Sequence, residues 1–177
     1  MDGSTYPLFY LFALVGLLGV AGWFVFQQVL KTRRAESDLT ALQQVVTQGA
    51  AGAEEYYRLA SIYLDKKLYG QATEYLKRAL KDKALKDKQA LALISNALGY
   101  AYAAQEQYDL AVKHYREALK LQPDYVVAMN NLGFAYEKLA QPDQALALYE
   151  QVMGLESGNK TARKRSEILR RRMAPAA

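Results

Sequence analysis

The hydrophobic pattern changes period once along this chain. From Leu8 to Leu30 it reads LFYLFALVGLLGVAGWFVFQQVL, twenty-three residues without a charge. At 1.5 Å per residue such a helix is ~34 Å long, enough to cross a hydrocarbon core of ~30 Å. The preceding MDGSTYP has no Lys or Arg, and the apolar run is longer than that of a signal peptide. The pattern predicts a retained membrane helix over residues 1–30. Lys31, Arg33 and Arg34 follow the run and nothing positive precedes it, so the positive-inside rule keeps the remaining chain in the cytoplasm. Tyr6, Tyr10 and Trp23 are candidate interfacial or lipid-facing aromatics. Ala13, Gly16, Gly19 and Gly22 recur every third residue and form a candidate contact for another membrane helix, because small side chains permit close approach.

Beyond the run, polar and apolar positions alternate with a helical period. Residues 31–48 contain no Pro or Gly and place Leu39, Leu42, Val45 and Val46 on one face, which predicts a helix continuing from the span or starting just after it. GAAG at 49–52 breaks it, leaving 31–52 as a juxtamembrane helix and linker. Then the chain repeats itself. SNALGYAYAAQEQYDLAVKHYRE, shifted by thirty-four residues, aligns with NNLGFAYEKLAQPDQALALYE. Leu98 meets Leu132, Gly99 meets Gly133, Tyr102 meets Tyr136, Ala111 meets Ala145 and Tyr115 meets Tyr149. A helical repeat of this period with small and aromatic positions is the signature of the tetratricopeptide repeat (TPR), two antiparallel helices A and B per unit. Small residues let A and B touch, and tyrosines fill the space between neighbouring pairs.

A weaker copy precedes these two, with Leu59, Ala60, Tyr63, Ala72, Leu76 and Ala79 at corresponding positions. Ala72 to Ala111 spans thirty-nine residues, five too many, and the surplus lies in KDKALKDKQA, read as a charged extension of helix B or its turn. The repeats are therefore set at 53–91, 92–125 and 126–159, with Ser157 where Pro123 closes the second. NKTARKRSEILRRRM follows as a basic cap and tail over 160–177, with Ala162, Ser166, Leu169 and Met173 on a narrow apolar face. The expected fold is all-α: one N-terminal transmembrane helix, a TPR α-solenoid of three helix pairs and a C-terminal capping helix.

Charge and chemistry narrow the function. Residues 31–159 hold sixteen Lys/Arg and sixteen Asp/Glu, so the formal net charge of +5 arises in the tail. A nucleic-acid-binding domain would carry its basic residues as a stripe across the fold, so nucleic acid is not an expected partner. With no cysteine and one histidine, the chain offers no thiolate nucleophile and no Cys or His metal cluster, and no cofactor is expected. His114 reads as a surface or packing residue. No catalytic constellation is visible, which points to a binding protein, not an enzyme. In a TPR superhelix the inner groove is lined mainly by helix A. Its lining positions supply Tyr57 and Ser61, then Leu93, Asn96 and Tyr100, then Val127, Asn130, Phe134, Glu137 and Lys138. Asn96 and Asn130 are candidate hydrogen-bond partners for a peptide backbone, and Tyr100 and Phe134 candidate apolar anchors. Lys160, Arg163, Lys164, Arg170, Arg171 and Arg172 form a candidate basic surface for an acidic partner or anionic lipid.

An uncleaved N-terminal helix beginning YPLFYLFALVGLLGVAGW, a basic flank and about three TPRs in 177 residues resemble the small membrane-anchored TPR proteins of cyanobacteria and plastids that assist photosystem I assembly. The resemblance covers nearly the whole chain. It implies a protein-interaction scaffold in the thylakoid membrane, with the TPRs on the cytoplasmic or stromal side. The implied partners are photosystem I subunits or assembly intermediates, and the lipid bilayer through the first helix. A permanent small subunit of another membrane complex is an alternative. A chaperone-recruiting receptor is another, disfavoured because Tyr57, Leu93 and Val127 stand where Lys or Asn would help grip a C-terminal carboxylate. The uncharged run and its basic flank predict one span with the repeats inside. Protease added to sealed right-side-out thylakoids, whose outer face is the cytoplasmic or stromal one, should digest the C-terminal domain, and its protection would refute that orientation.

Overall fold

The computed structural model describes residues 5–174, with the side chains of 5–9, 31, 32, 34 and 35 outside the description. Tyr6, Lys31 and Arg34 of the sequence reading fall among those side chains, and residues 1–4 and 175–177 lie outside the described residues altogether. The described residues form α1 (Thr5–Thr47), α2 (Ala53–Asp65), α3 (Tyr69–Lys81), α4 (Lys88–Ala104), α5 (Tyr108–Leu121), α6 (Val126–Lys138), α7 (Pro142–Leu155) and α8 (Lys160–Met173). All described regular structure is helical. The chain divides into two compact units, one up to Gln44 and one from Val45 onward.

In the first unit, α1 runs unbroken through the apolar run and the charged segment after it, 43 residues in all. The stretch Tyr10–Leu30 is long and apolar enough to cross a membrane. Its large side chains are exposed on every face rather than along one stripe, as Phe12 at 70% and Phe24 at 71% illustrate. Ala13, Gly16, Gly19 and Gly22 are exposed too, and a Cβ added at any of the three glycines would meet nothing within 4 Å.

The second unit is an array of helix pairs, α2–α3, α4–α5 and α6–α7, followed by α8. Each helix packs on the next in the chain. The core is a file of small residues with tyrosines between them. Ala72, Ala111 and Ala145 are fully buried at one repeat position, and Ala79, Ala118 and Val152 at another. Leu76, Tyr115 and Tyr149 are buried at a third. The tyrosine rings lie directly against helix A of their own pair: a Cβ on Gly99 would sit 2.7 Å from the Tyr115 ring, and one on Gly133 2.9 Å from Tyr149. His114 stacks nearly parallel on Tyr102, centroids 5.4 Å apart and planes 9° from parallel, with the Lys77 ammonium 5.3 Å from the Tyr102 centroid. Burial, then Lys113 and Lys77, lowers the imidazole's pKa.

The same turn joins A to B in every pair. Lys67, Glu106 and Ala140 adopt φ of 59°, 59° and 55°. The next residues, Leu68, Gln107 and Gln141, donate their N–H to Tyr63, Tyr102 and Tyr136 carbonyls at 2.8, 3.0 and 2.9 Å. Lys67, Glu106 and Ala140 themselves donate to Leu64, Ala103 and Glu137 carbonyls. This is a Schellman closure, made three times with a non-glycine residue in the left-handed position at ~1 kcal/mol each. The degenerate first pair is thus built like the other two.

The structure corrects one sequence assignment. The surplus residues do not extend helix B, since α3 ends at Lys81, but part of them does lengthen the turn after it, residues 82–87 against 122–125 in the next pair. The rest lengthen α4 to 17 residues against 13 in α2 and α6, so residues 88–91 form its first turn instead of closing the first repeat. Two aspartates explain the placement. Asp87 caps α4, its carboxylate accepting from the Gln89 and Ala90 N–H groups at 3.2 and 3.1 Å. Asp82 follows α3, and its carboxylate accepts from the Ala53 N–H of α2 at 2.8 Å and from Ala84 at 2.9 Å.

The glycine–tyrosine contact gives a direct test. Gly99→Ala gains ~1 kcal/mol of helix propensity but overpacks against a fully buried ring, at a cost of ~1–3 kcal/mol. Its thermal unfolding should show net destabilisation, whereas Gly154→Ala on α7, with open space around it, should not. Unchanged stability of Gly99→Ala would remove the contact from its central place.

Candidate protein-binding groove

The A helices α4, α6 and α8 touch one another across the array and form one face. Asn131 on α6 donates its Nδ2–H to Asn96 Oδ1 on α4 at 3.0 Å. Arg165 on α8 reaches both carboxylate oxygens of Glu137 on α6 at 3.3 Å. Between α4 and α6 lies a cavity of about 310 Å³, with Tyr100, Ala104, Glu106, Asn131, Phe134 and Lys138 in its lining. A second, of about 230 Å³, is lined by Tyr57, Leu85, Leu93 and neighbours at the start of α2 and α4. Leu85 comes from the connection made possible by the surplus residues.

The residues expected to line the groove divide into three kinds. Leu93, Tyr100 and Val127 are exposed, at 40%, 46% and 52%, and Lys138 is exposed as well. Tyr57, Ser61, Asn130 and Phe134 are partly buried. Ser61 donates back to the Tyr57 carbonyl at 2.9 Å, one turn earlier on its own helix. Tyr100 meets Tyr69 edge-on at 6.4 Å. Phe134 has two cations near its ring: the Arg165 guanidinium is 5.0 Å and the Lys138 ammonium 5.4 Å from its centroid.

Asn96 and Glu137 are the third kind, committed to internal partners. Asn96 is 8% exposed, accepts from Asn131, and donates to the Tyr125 hydroxyl at 3.4 Å. A peptide backbone therefore meets the Asn96–Asn131 pair rather than a free carboxamide. Glu137 accepts the Tyr149 hydroxyl at 2.7 Å and pairs with Arg165, so its charge is answered within the fold. Burial, and then the hydrogen bond to Glu137, push the Tyr149 phenol far above its ordinary range. Asn130 Oδ1 is buried without a hydrogen-bond partner among the described residues.

All six members of the proposed basic surface are exposed. Arg170 pairs with Glu150 at 2.7 Å, and Arg163 donates to the Ser157 carbonyl at 2.7 Å. The sequence reading did not place Arg165, Asn131 or Tyr125 in the groove. The repeat itself carries the missing signal. A further shift of thirty-four residues maps Ala128, Leu132 and Ala135 onto Ala162, Ser166 and Leu169, all buried. The capping helix is therefore a fourth helix A, and its own groove positions are Thr161, Lys164, Ile168, Arg171 and Arg172.

Comparison with known proteins agrees with this architecture. Tetratricopeptide-repeat family patterns match residues 53–81 and 126–155, and a TPR repeat pattern matches 99–139. The "Uncharacterized protein ycf37" of Cyanophora paradoxa is 39% identical over 128 residues, covering 72% of this chain and 73% of that protein. The chain belongs to the ycf37 family. "Tetratricopeptide repeat domain-containing protein PYG7, chloroplastic" of Arabidopsis thaliana is 40% identical over 166 residues, 94% of this chain, and the chain spans 55% of that longer protein. Among solved structures, the first TPR of Spaghetti (RPAP3) bound to an HSP90 peptide has the same fold. Its TM-score is 0.63 at 18% identity, over 68% of this chain and 91% of that one. The ycf37 relationship thus rests on sequence over most of the chain, and the solenoid fold on structure as well.

Tyr149→Phe deletes a buried hydroxyl bonded to a carboxylate and leaves Glu137 with Arg165 alone. Such bonds contribute ~1.5–3 kcal/mol. Chemical unfolding of the variant should show a loss of that order, and a loss below ~0.5 kcal/mol would mean that the network does not tie α6 to α7.

Proposed function

We propose that the chain is a membrane-tethered TPR scaffold that assists assembly or stability of photosystem I at the thylakoid membrane. Its apolar first helix is the single-pass anchor, and the repeat array faces the cytoplasm or stroma. The observation that carries the reading is the combination of a 21-residue apolar stretch with a TPR array in a chain of the ycf37 family. The chloroplastic relative supports the compartment. The Spaghetti TPR with its bound peptide supports capture of protein segments by such an array. The resemblance of the N-terminal segment and architecture to photosystem I assembly proteins supports the choice of complex. The groove residues fit binding: they are apolar, aromatic, amide and cationic side chains, and the carboxylate of Glu137 is already paired with Arg165.

Removing the protein from its host membranes should lower the ratio of photosystem I to photosystem II, read by low-temperature fluorescence. Tagged protein should co-purify with photosystem I subunits yet be absent from the finished complex. An unchanged photosystem ratio would overturn the assignment, and stoichiometric retention in the mature complex would make it a permanent subunit instead.

A further inference from the structure

The C-terminal helix closes the core and lengthens the groove with opposite faces. At the positions where earlier A helices receive their own helix B, small and aromatic residues give way to charge. Gly99 and Gly133 correspond to Glu167, and Tyr102 and Tyr136 to Arg170, both exposed on α8. A helix packed there would have to bury those charges. At the groove positions the same helix carries Lys164, Arg171 and Arg172, all exposed. Lys138 and Arg165 lie near the Phe134 ring. Against these five cations the groove from α4 to α8 sets Glu106, which lines the cavity, and Glu137, which already serves Arg165 and Tyr149. At the other end α2 places Glu54 and Asp65 at its groove positions.

We propose that the groove from α4 to α8 holds an acidic, extended segment of a partner protein, with an aromatic side chain seated in the cavity between Tyr100 and Phe134. The inference deepens the scaffold reading by giving the partner's chemistry. The α8 end supplies charge complementarity, and the cavity of about 310 Å³ supplies room for one ring beside two others. A planar bilayer could meet exposed lysines and arginines but could not enter a recess between α4 and α6, which favours a protein segment over lipid headgroups. The segment needs no free C-terminus, because the recognition elements are a ring slot and a row of cations.

The test uses the full chain in non-ionic detergent and a fluorescent peptide, amidated at its C-terminus, with Glu and Asp around a single Phe. Fluorescence anisotropy should show binding that weakens steeply with salt. Replacing the acids by Gln and Asn, or Phe by Ala, should each weaken it roughly tenfold or more. Lys164→Gln with Arg171→Gln and Arg172→Gln should erase the preference for the acidic peptide while circular dichroism and melting stay unchanged. Should that variant melt early, a peptide with Lys in place of its acids serves instead, and it should not bind the parent. Equal binding of the acidic and neutral peptides would overturn the proposal. So would a folded variant that keeps the peptide but loses phosphatidylglycerol vesicles, which would assign the cations to lipid. So would binding that demands a free terminal carboxylate. A failed peptide assay beside a reduced photosystem I ratio would reject this occupant and leave the scaffold role standing.

Discussion

The array depends on how closely helix A and helix B of a pair can approach. At Gly99 and Gly133 there is no room for a Cβ: the rings of Tyr115 and Tyr149 occupy that space. Each ring is about 1% exposed, so the contact lies in the middle of the core. Two large flat side chains then cover surface that aliphatic residues would leave uneven, while alanines at Ala72, Ala111 and Ala145 keep the backbones together. The approach fixes the angle within a pair, and the angle fixes how the next pair stacks. Pairs with equal angles can be added indefinitely, which is the property a solenoid exploits.

The remaining features follow from repeating that unit. The turns are closed by identical hydrogen bonds even where the residue in the left-handed position is Lys, Glu or Ala. The cost of a Cβ there is accepted because the helices on both sides are held by packing. Stacking also brings each helix A beside the A helix two elements on, where Asn96 meets Asn131 and Glu137 meets Arg165. These polar links mark the groove side and tie it together. On α8 the glycine and tyrosine of the A–B contact are replaced by Glu167 and Arg170, a change of two residue types on one helical face.

Much of the fold is legible in the sequence because both of its signals are one-dimensional. An uncharged run of sufficient length reports an anchor-like helix, and a period of thirty-four reports a helix pair through the spacing of small and aromatic residues. The same period points to candidate groove residues, since position in the repeat determines which side of helix A a residue occupies. The charged insertion was less legible. Its length shows in the spacing, but whether it lengthens helix B or the next helix A depends on which residue caps. Asp82 and Asp87 decide that through N–H groups on α2 and α4.

The sequence by itself determined the element types, the repeat and the closing helix, and it offered candidates for the groove. Only the tertiary structure decided which of those residues remain available. Asn96 and Glu137 stand at groove positions like Tyr100 and Lys138, yet one is bonded to Asn131 and Tyr125 and the other to Tyr149 and Arg165. Arg165 became a groove residue only through its approach to Phe134 and Glu137 across the gap between α6 and α8. The physical reason is range. Periodicity records contacts at fixed sequence offsets within and between repeats. The pairing of a particular carboxylate, amide or guanidinium depends on distances of about 3 Å between side chains of different helices, and those exist only once the pairs have stacked.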